Sequence, residues 1–216
     1  NVNVTLLFDV DRYTAVTDAY LEGLERYTRT PGQATGSGVK PLSRVASVAS
    51  FFVSRVDAVV DEQLQGRAEA QGLSGLAAVA NAKLAYERFQ GVFGGARFTD
   101  LQQRGARVQR VLWASTSTKN PAYPDTKYVD ALIGPDTVNT VPGQTLDAIK
   151  DHATVRSTIQ EGMAEAHAQL AALAQAGIDM KAVAMQLEKD GVALFAKSYD
   201  DLLEGIEHKM REVAPA

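Results

Sequence analysis

Two polar side chains interrupt an otherwise apolar stretch, Asn-Val-Asn-Val-Thr-Leu-Leu-Phe (1–8), and are the first residues that could do chemistry. Asn3 and Thr5 stand two apart, so in a strand both point to one face. Buried without partners, each would cost about 1–3 kcal/mol. An Asn so placed can orient a substrate or an amine, and a Thr can position a water. The plainer reading is that the two satisfy each other or a buried water. Ser50 ends a second β-rich stretch, Arg44–Phe52, and Arg55 follows one turn later. Its planar, permanently charged fork suits phosphate. Ser115 closes a third stretch, and Lys119 in the loop beyond could add a second positive charge. Against this, Arg55 could pair with Asp57 or Asp61 on its own helix and Lys119 could simply be solvated. For an isolated Arg and Lys, that is the stronger reading.

Other signals offer less. His152, His167 and His208 have no metal-ligand spacing, so they are expected on the surface or in helix packing. Asn3-Val4-Thr5 matches the glycosylation pattern but lies in an expected buried strand of a cysteine-free chain, and is set aside. Gly91 to Gly95 lacks the lysine and Ser/Thr of a phosphate loop. Trp113 is expected in the core, and no Ser/His/Asp arrangement is readable.

The elements that must position these residues alternate. Strands are expected at 1–8, 44–52, 108–115 and 136–141, the last ended by Pro142. The first reads as buried on both faces, as in parallel sheets. A helix capped by Asp9 or Asp11 runs to about Tyr27, and Thr30–Lys40 is a Gly/Pro/Ser loop. Helices are expected at 53–63, at 73–93 closed by Gly94-Gly95, and briefly at 126–133. From Val155 the pattern is helical throughout: 155–175 stopped by Gly177, then 180–190 capped by Asp179, then 192–213. Alternating strands and helices imply βαβ units and a parallel sheet. Four such units with polar strand ends suggest half of an eight-fold βα barrel, with a doubly wound sheet as the rival. We read residues 1–216 as one domain, with the βα units at 1–150 and the closing helices at 151–216.

Length and composition set bounds. The 216 residues allow one sizeable core. With 22 Lys and Arg against 26 Asp and Glu, the net charge of −4 argues against nucleic-acid or membrane-surface partners. No window approaches the roughly 18–20 apolar residues of a membrane span. The absence of cysteine fits a cytoplasmic setting. The chain starts without methionine in an expected core strand, so a fragment of something longer is expected.

Taken together, NVNVTLLF (1–8), SVASFFVSRVD (47–57), AVANAKLA (78–85), GARVQRVLWASTSTKNP (105–121), DTVNTVP (136–142) and FAKSYDDLL (195–203) resemble the transaldolase family, in its longer bacterial type. The likeness covers nearly the whole chain and corresponds to the family's C-terminal half. It implies an (α/β)8 barrel of the class I aldolase type, of which this chain carries about the last four βα units and the C-terminal helices. It implies transfer of a dihydroxyacetone unit from a ketose phosphate such as sedoheptulose 7-phosphate to an aldose phosphate such as glyceraldehyde 3-phosphate, in the pentose phosphate pathway. The family works through a lysine Schiff base and no metal or organic cofactor. By the resemblance, Asn3 and Thr5 match the active-site Asn and the water-binding Thr, Ser50 a substrate contact, and Arg55 the phosphate arginine. Lys119, preceded by Ser115, falls where shorter relatives place a second phosphate-binding arginine. The Schiff-base lysine would precede NVNVTLLF, and Lys40 and Lys83 are poor substitutes. The partners implied are sugar-phosphate substrates and the missing N-terminal half of the barrel, in a monomer or homodimer. A catalytically silent half-barrel that binds sugar phosphates is the alternative.

Overall fold

A computed structural model describes residues 1–29, 41–67 and 71–213. The whole of the Thr30–Lys40 loop assignment, Lys40 included, lies outside the described residues. Four strands, β1 (Val2–Leu7), β2 (Ser47–Phe52), β3 (Gln109–Ala114) and β4 (Thr137–Asn139), form one sheet in the order β1-β2-β3-β4. All three pairings are parallel. Space therefore follows sequence, and every strand presents its C-terminal end to the same rim. This is an α/β fold with a parallel sheet, as the alternating pattern implies.

The helices explain themselves locally. In α1 (Val10–Thr28), the Asp9 carboxylate accepts from Arg12 N at 2.6 Å, which caps the helix. Its buried stripe is Tyr13, Thr17, Leu21 and Leu24. Next come α2 (Ser54–Leu64), α3 (Ala77–Phe93), α4 (Ala96–Gln103), α5 (Lys127–Ala131), α6 (Gly143–His152), α7 (Met163–Gln175) and α8 (Met180–Val213). The core lies on the helix side of the sheet, where Phe51 of β2 meets Tyr13 and Trp113 edge-on at 6.3 and 6.1 Å. Trp113 is buried as expected, its indole N–H donating to Leu132 O at 3.1 Å.

Several expectations are corrected. β1 is buried only from Leu6, while Val2 is 60% exposed, because β2 is its one neighbour among the described residues and it forms the sheet edge. Gly94 does close α3 as expected, and a further helix, α4, starts directly after Gly95. The segment read as helix from Val155 becomes helical only at Met163, after Gly162 at φ +63°; Gly143–His152 is a helix the sequence pattern left unassigned. Gly177, at φ +81°, does stop α7, with Gly177 N bonded to Ala174 O and Ile178 N reaching back to Leu173 O. Asp179 caps α8 through Lys181 N and Ala182 N. The boundary expected at Gly191 does not exist, for α8 runs straight through it. Gly191 is buried because it packs against Leu6, whose Cδ2 would stand 2.8 Å from a Cβ at that position. Beyond it the rest of α8 is exposed.

The sheet also carries one irregularity near its rim. Val4 lies opposite Ala49 and Leu7 opposite Phe51, so Thr5 and Leu6 together face Ser50 alone. This is a β-bulge. Leu6 adopts φ +60°, a left-handed backbone rare for a leucine.

Candidate active site

Parallel pairing sets the strands side by side, and polar side chains link neighbour to neighbour, within the sheet at Asn3 and just past the strand ends of β2 and β3. Between β1 and β2, Ser50 Oγ donates to Asn3 Oδ1 at 2.7 Å. Between β2 and β3, Ser54 Oγ and Ser115 Oγ are 3.0 Å apart. Between β3 and β4, Thr116 Oγ donates to Asn139 Oδ1 at 2.8 Å. Ser115 reaches its place through a left-handed backbone, φ +57°. That turn also aims its carbonyl at Ser54 N, 2.9 Å away, while Ala114 O accepts from Val53 N at 3.0 Å. The start of α2 is thereby tied to the end of β3.

The pairing is not the one the plainer sequence reading supposes. Asn3 and Thr5 do not satisfy each other: Asn3 is held by Ser50, and the exposed Thr5 makes no side-chain hydrogen bond among the described residues. Asn3 retains its amide N–H2, two donors, for other use.

Arg55 is similarly uncommitted. Its guanidinium lies 5.3 Å from the centroid of the Phe52 ring, a cation–π contact, and it forms no ion pair among the described residues. The acids on its own helix are engaged elsewhere. Asp57, 1% exposed, accepts from Ala78 N at 2.7 Å, Lys127 Nζ at 2.9 Å and Tyr128 OH at 2.9 Å. Asp61 accepts from Gly75 N at 2.7 Å and Tyr123 OH at 2.5 Å. Its charge and Asp57's, on top of burial, raise the Tyr123 phenol, and burial with Asp57 raises that of Tyr128. Both stay protonated donors. The plainer reading of Arg55 thus fails on geometry.

Lys119 stands apart. It is exposed, donates to Ser117 Oγ at 3.1 Å, and lines a cleft of ≈ 230 Å³ together with Asp57, Asp61, Glu62 and Tyr123. The structure joins Asn3 with Ser50 and Ser54 with Ser115; Ser54 also lines the cleft of Lys119, whose acidic walls do not suit an anion. Ser54, Thr116 and Asn139 were missed by sequence reasoning; their signal is position, immediately beyond or at the last residue of a strand. Asn81 was missed as well: its amide donates to Phe8 O at 2.8 Å and anchors the exit of β1.

The lysines complete the picture. Among the described residues, only Lys83 has an amine pushed below the ordinary lysine range, chiefly by burial. It sits in α3 and donates to the carbonyls of Thr158 and Glu161. Lys127 is bound to Asp57. His152, His167 and His208 are all exposed, as expected. No group of three or more His, Cys, Asp or Glu converges to hold a metal ion among the described residues. No helix there is long and apolar enough to cross a membrane.

The fold is thus of the α/β class, a parallel sheet with polar side chains linking neighbouring strands and an arginine that forms no ion pair among the described residues. Comparison narrows it. The family model for Transaldolase/Fructose-6-phosphate aldolase matches residues 1–206. Transaldolase 1 of Streptomyces avermitilis is 49% identical over 214 residues, 98% of this chain and 54% of that protein. The transaldolases of Saccharopolyspora erythraea and Mycolicibacterium smegmatis are each 48% identical over 97% of the chain, and 56% and 55% of their own lengths. The chain belongs to the transaldolase/fructose-6-phosphate aldolase family. It spans about half the length of the curated relatives it matches.

Proposed function

We propose that this chain supplies the substrate-gripping half of a transaldolase, an enzyme that moves a dihydroxyacetone unit from a ketose phosphate to an aldose phosphate through a lysine Schiff base. The single observation that carries this reading is the Asn3–Ser50 hydrogen bond between β1 and β2, 2.7 Å long, which fixes Asn3 with its amide donors free; Arg55, in the first turn of the helix that follows β2, forms no ion pair among the described residues. Asn3 orients the reacting amine or substrate hydroxyl, Ser50 holds Asn3 and contacts the substrate, and Arg55 takes the phosphate at the first turn of α2. Thr5, with its hydroxyl unengaged, positions the water that moves protons during formation and hydrolysis of the imine. Ser115 orders the mouth through Ser54, and Lys119 adds a weaker, longer-range positive charge. The four strands are read as part of a (β/α)8 barrel closed by residues outside this chain.

A Schiff base needs a neutral amine, which enzymes obtain by desolvating a lysine. Among the described lysines Lys119 is exposed in the loop beyond β3 and Lys127 is bound to Asp57, so the amine is assigned, by the family likeness, to a residue outside Asn1–Ala216. Borohydride reduction of the intact protein with a ketose phosphate tests this. The expected result is a stable adduct on a lysine outside these 216 residues. Absence of any adduct overturns the reading in favour of a silent sugar-phosphate-binding half-barrel. An adduct on Lys83 or Lys119 overturns the assignment of roles.

A further inference from the structure

We propose that Arg110 of β3 is a docking point for the part of the protein beyond this chain: the segment that covers this face of the sheet brings a carboxylate, which pairs with the Arg110 guanidinium. This rests on the reading of the four strands as part of a larger barrel. The placement of Arg110 follows from register. Asn3 stands opposite Val48 and Val48 opposite Arg110, so the three form one row across β1, β2 and β3 and share a face. Phe51 and Trp113 come three residues after Val48 and Arg110 and so point the other way, into the core with Tyr13. Arg110 therefore projects from the face turned away from that core. It is the one exposed residue of β3, and Asn3 in the same row is exposed as well.

The charge is unanswered where it stands. The Arg110 side chain forms no hydrogen bond or ion pair among the described residues. It lines a cleft of ≈ 710 Å³ with Asn3 and Val48, and the other charged side chains there are Arg107 and Asp136. Asp136 precedes Thr137, the partner of Val111, yet pairs with neither arginine among the described residues; its charge bears on the Tyr86 phenol in α3. Two guanidinium groups against one carboxylate leave the cleft positive. On its own face Arg110 has apolar neighbours, Val48 beside it and Leu112 two residues on. Covering that face strips water from the guanidinium, and an uncompensated charge would oppose docking. A carboxylate in the incoming segment removes the penalty, since its two oxygens match the arginine fork. This chain matches 54% of the Streptomyces avermitilis transaldolase, so nearly as much sequence again stands beyond the match in that relative. The pair would register such a segment against the row that carries Asn3, about 10 Å away across two strands.

The test uses the intact protein and its denaturant unfolding as a function of pH. Arg110→Met keeps an apolar stem and removes the charge. At pH 7 it is expected to lower the folded-to-unfolded ratio about 100-fold or more, because a covered carboxylate loses its partner. That carboxylate then has a folded pKa above its unfolded value of about 4, so the deficit is largest at neutral pH and shrinks as pH falls through the folded value. A deficit below about fivefold, the range of a surface pair, overturns the proposal, as does one that does not change with pH. The same pH dependence must persist when Asp136→Asn is added; if it vanishes, Asp136 is the partner and the proposal falls. Should Arg110→Met not fold, the Nε–H proton of Arg110 in the unaltered protein decides. A paired and covered guanidinium protects it from solvent exchange, and exchange as fast as that of free arginine overturns the inference. Protection that appears only when a ketose phosphate is added assigns Arg110 to the substrate and overturns it too. None of these readings uses turnover, so a protein that transfers nothing removes the proposed function alone.

Discussion

Two polar clusters flank the start of α2, and they are built on opposite principles. Behind it, Asp57 is closed off from solvent with three donors on its two oxygens, one of them from the Lys127 ammonium. Across β1 and β2, Asn3, Ser50 and Thr5 make one hydrogen bond among themselves, and Arg55 at the start of α2 has only a ring beneath it. In the first cluster most of the hydrogen-bonding capacity is already taken up by the protein itself. It joins α2 to the start of α3 and to α5, and its role is to keep that helix in place. The second is under-satisfied on the protein's own account, which is the condition of a surface awaiting a polar guest. Spare hydrogen-bonding capacity, rather than polarity, separates a binding site from a buried staple.

The contrast can be broken by substitution, and the largest effect belongs to the closed cluster. Asp57→Ala leaves a mostly buried Lys127 without its counter-charge, and the loss should be about 3–5 kcal/mol of stability. Denaturant unfolding of the intact protein measures it; a loss below about 1 kcal/mol would show that the cluster is not structural. Arg55→Ala should do the reverse, leaving stability nearly unchanged while kcat/KM for phosphorylated sugars falls by about 2 kcal/mol, roughly 30-fold. Comparison with unphosphorylated sugars checks the assignment, because equal losses on both kinds remove the phosphate role.

The smallest effect lies at the surface. His152, between Asp125 and Asp151, has its pKa raised above the ordinary histidine value, first by the hydrogen bond to Asp125 and then by that to Asp151. A folded pKa above the unfolded one favours the fold while the ring is protonated. This contribution is fully present below the unfolded histidine pKa of about 6.5 and is lost as pH rises through the folded value. A slight fall in thermal midpoint across that window, absent in Asp125→Asn, is the expected result. Both partners are exposed, so the fall should shrink with salt.

Much of this was legible in the sequence, for definite reasons. The four strands lie within three residues of where the β-rich stretches put them, since buried parallel strands are short apolar runs. Asn3 and Ser50 were legible because a polar residue in such a run must be answered by something. Their actual pairing was not, for it depends on register between segments 47 residues apart. The role of Asp57 was invisible for the same reason, with partners 21, 70 and 71 residues away. Gly191 misled because a glycine in a helical pattern reads as a stop, and only the opposing Leu6 reveals it as a notch. The helix at Gly143–His152 went unassigned because Pro142, read as the end of a strand, is also where the next element begins.

Because the strands stand in space in the order in which they are encoded, each of these side-chain bridges is made by consecutive βα units: the first to the second, the second to the third, the third to the fourth. A change at one strand end is therefore felt by its immediate neighbours and hardly further. Such a mouth can be revised one unit at a time, which lets a lineage retune what it accepts without rebuilding the scaffold that presents it.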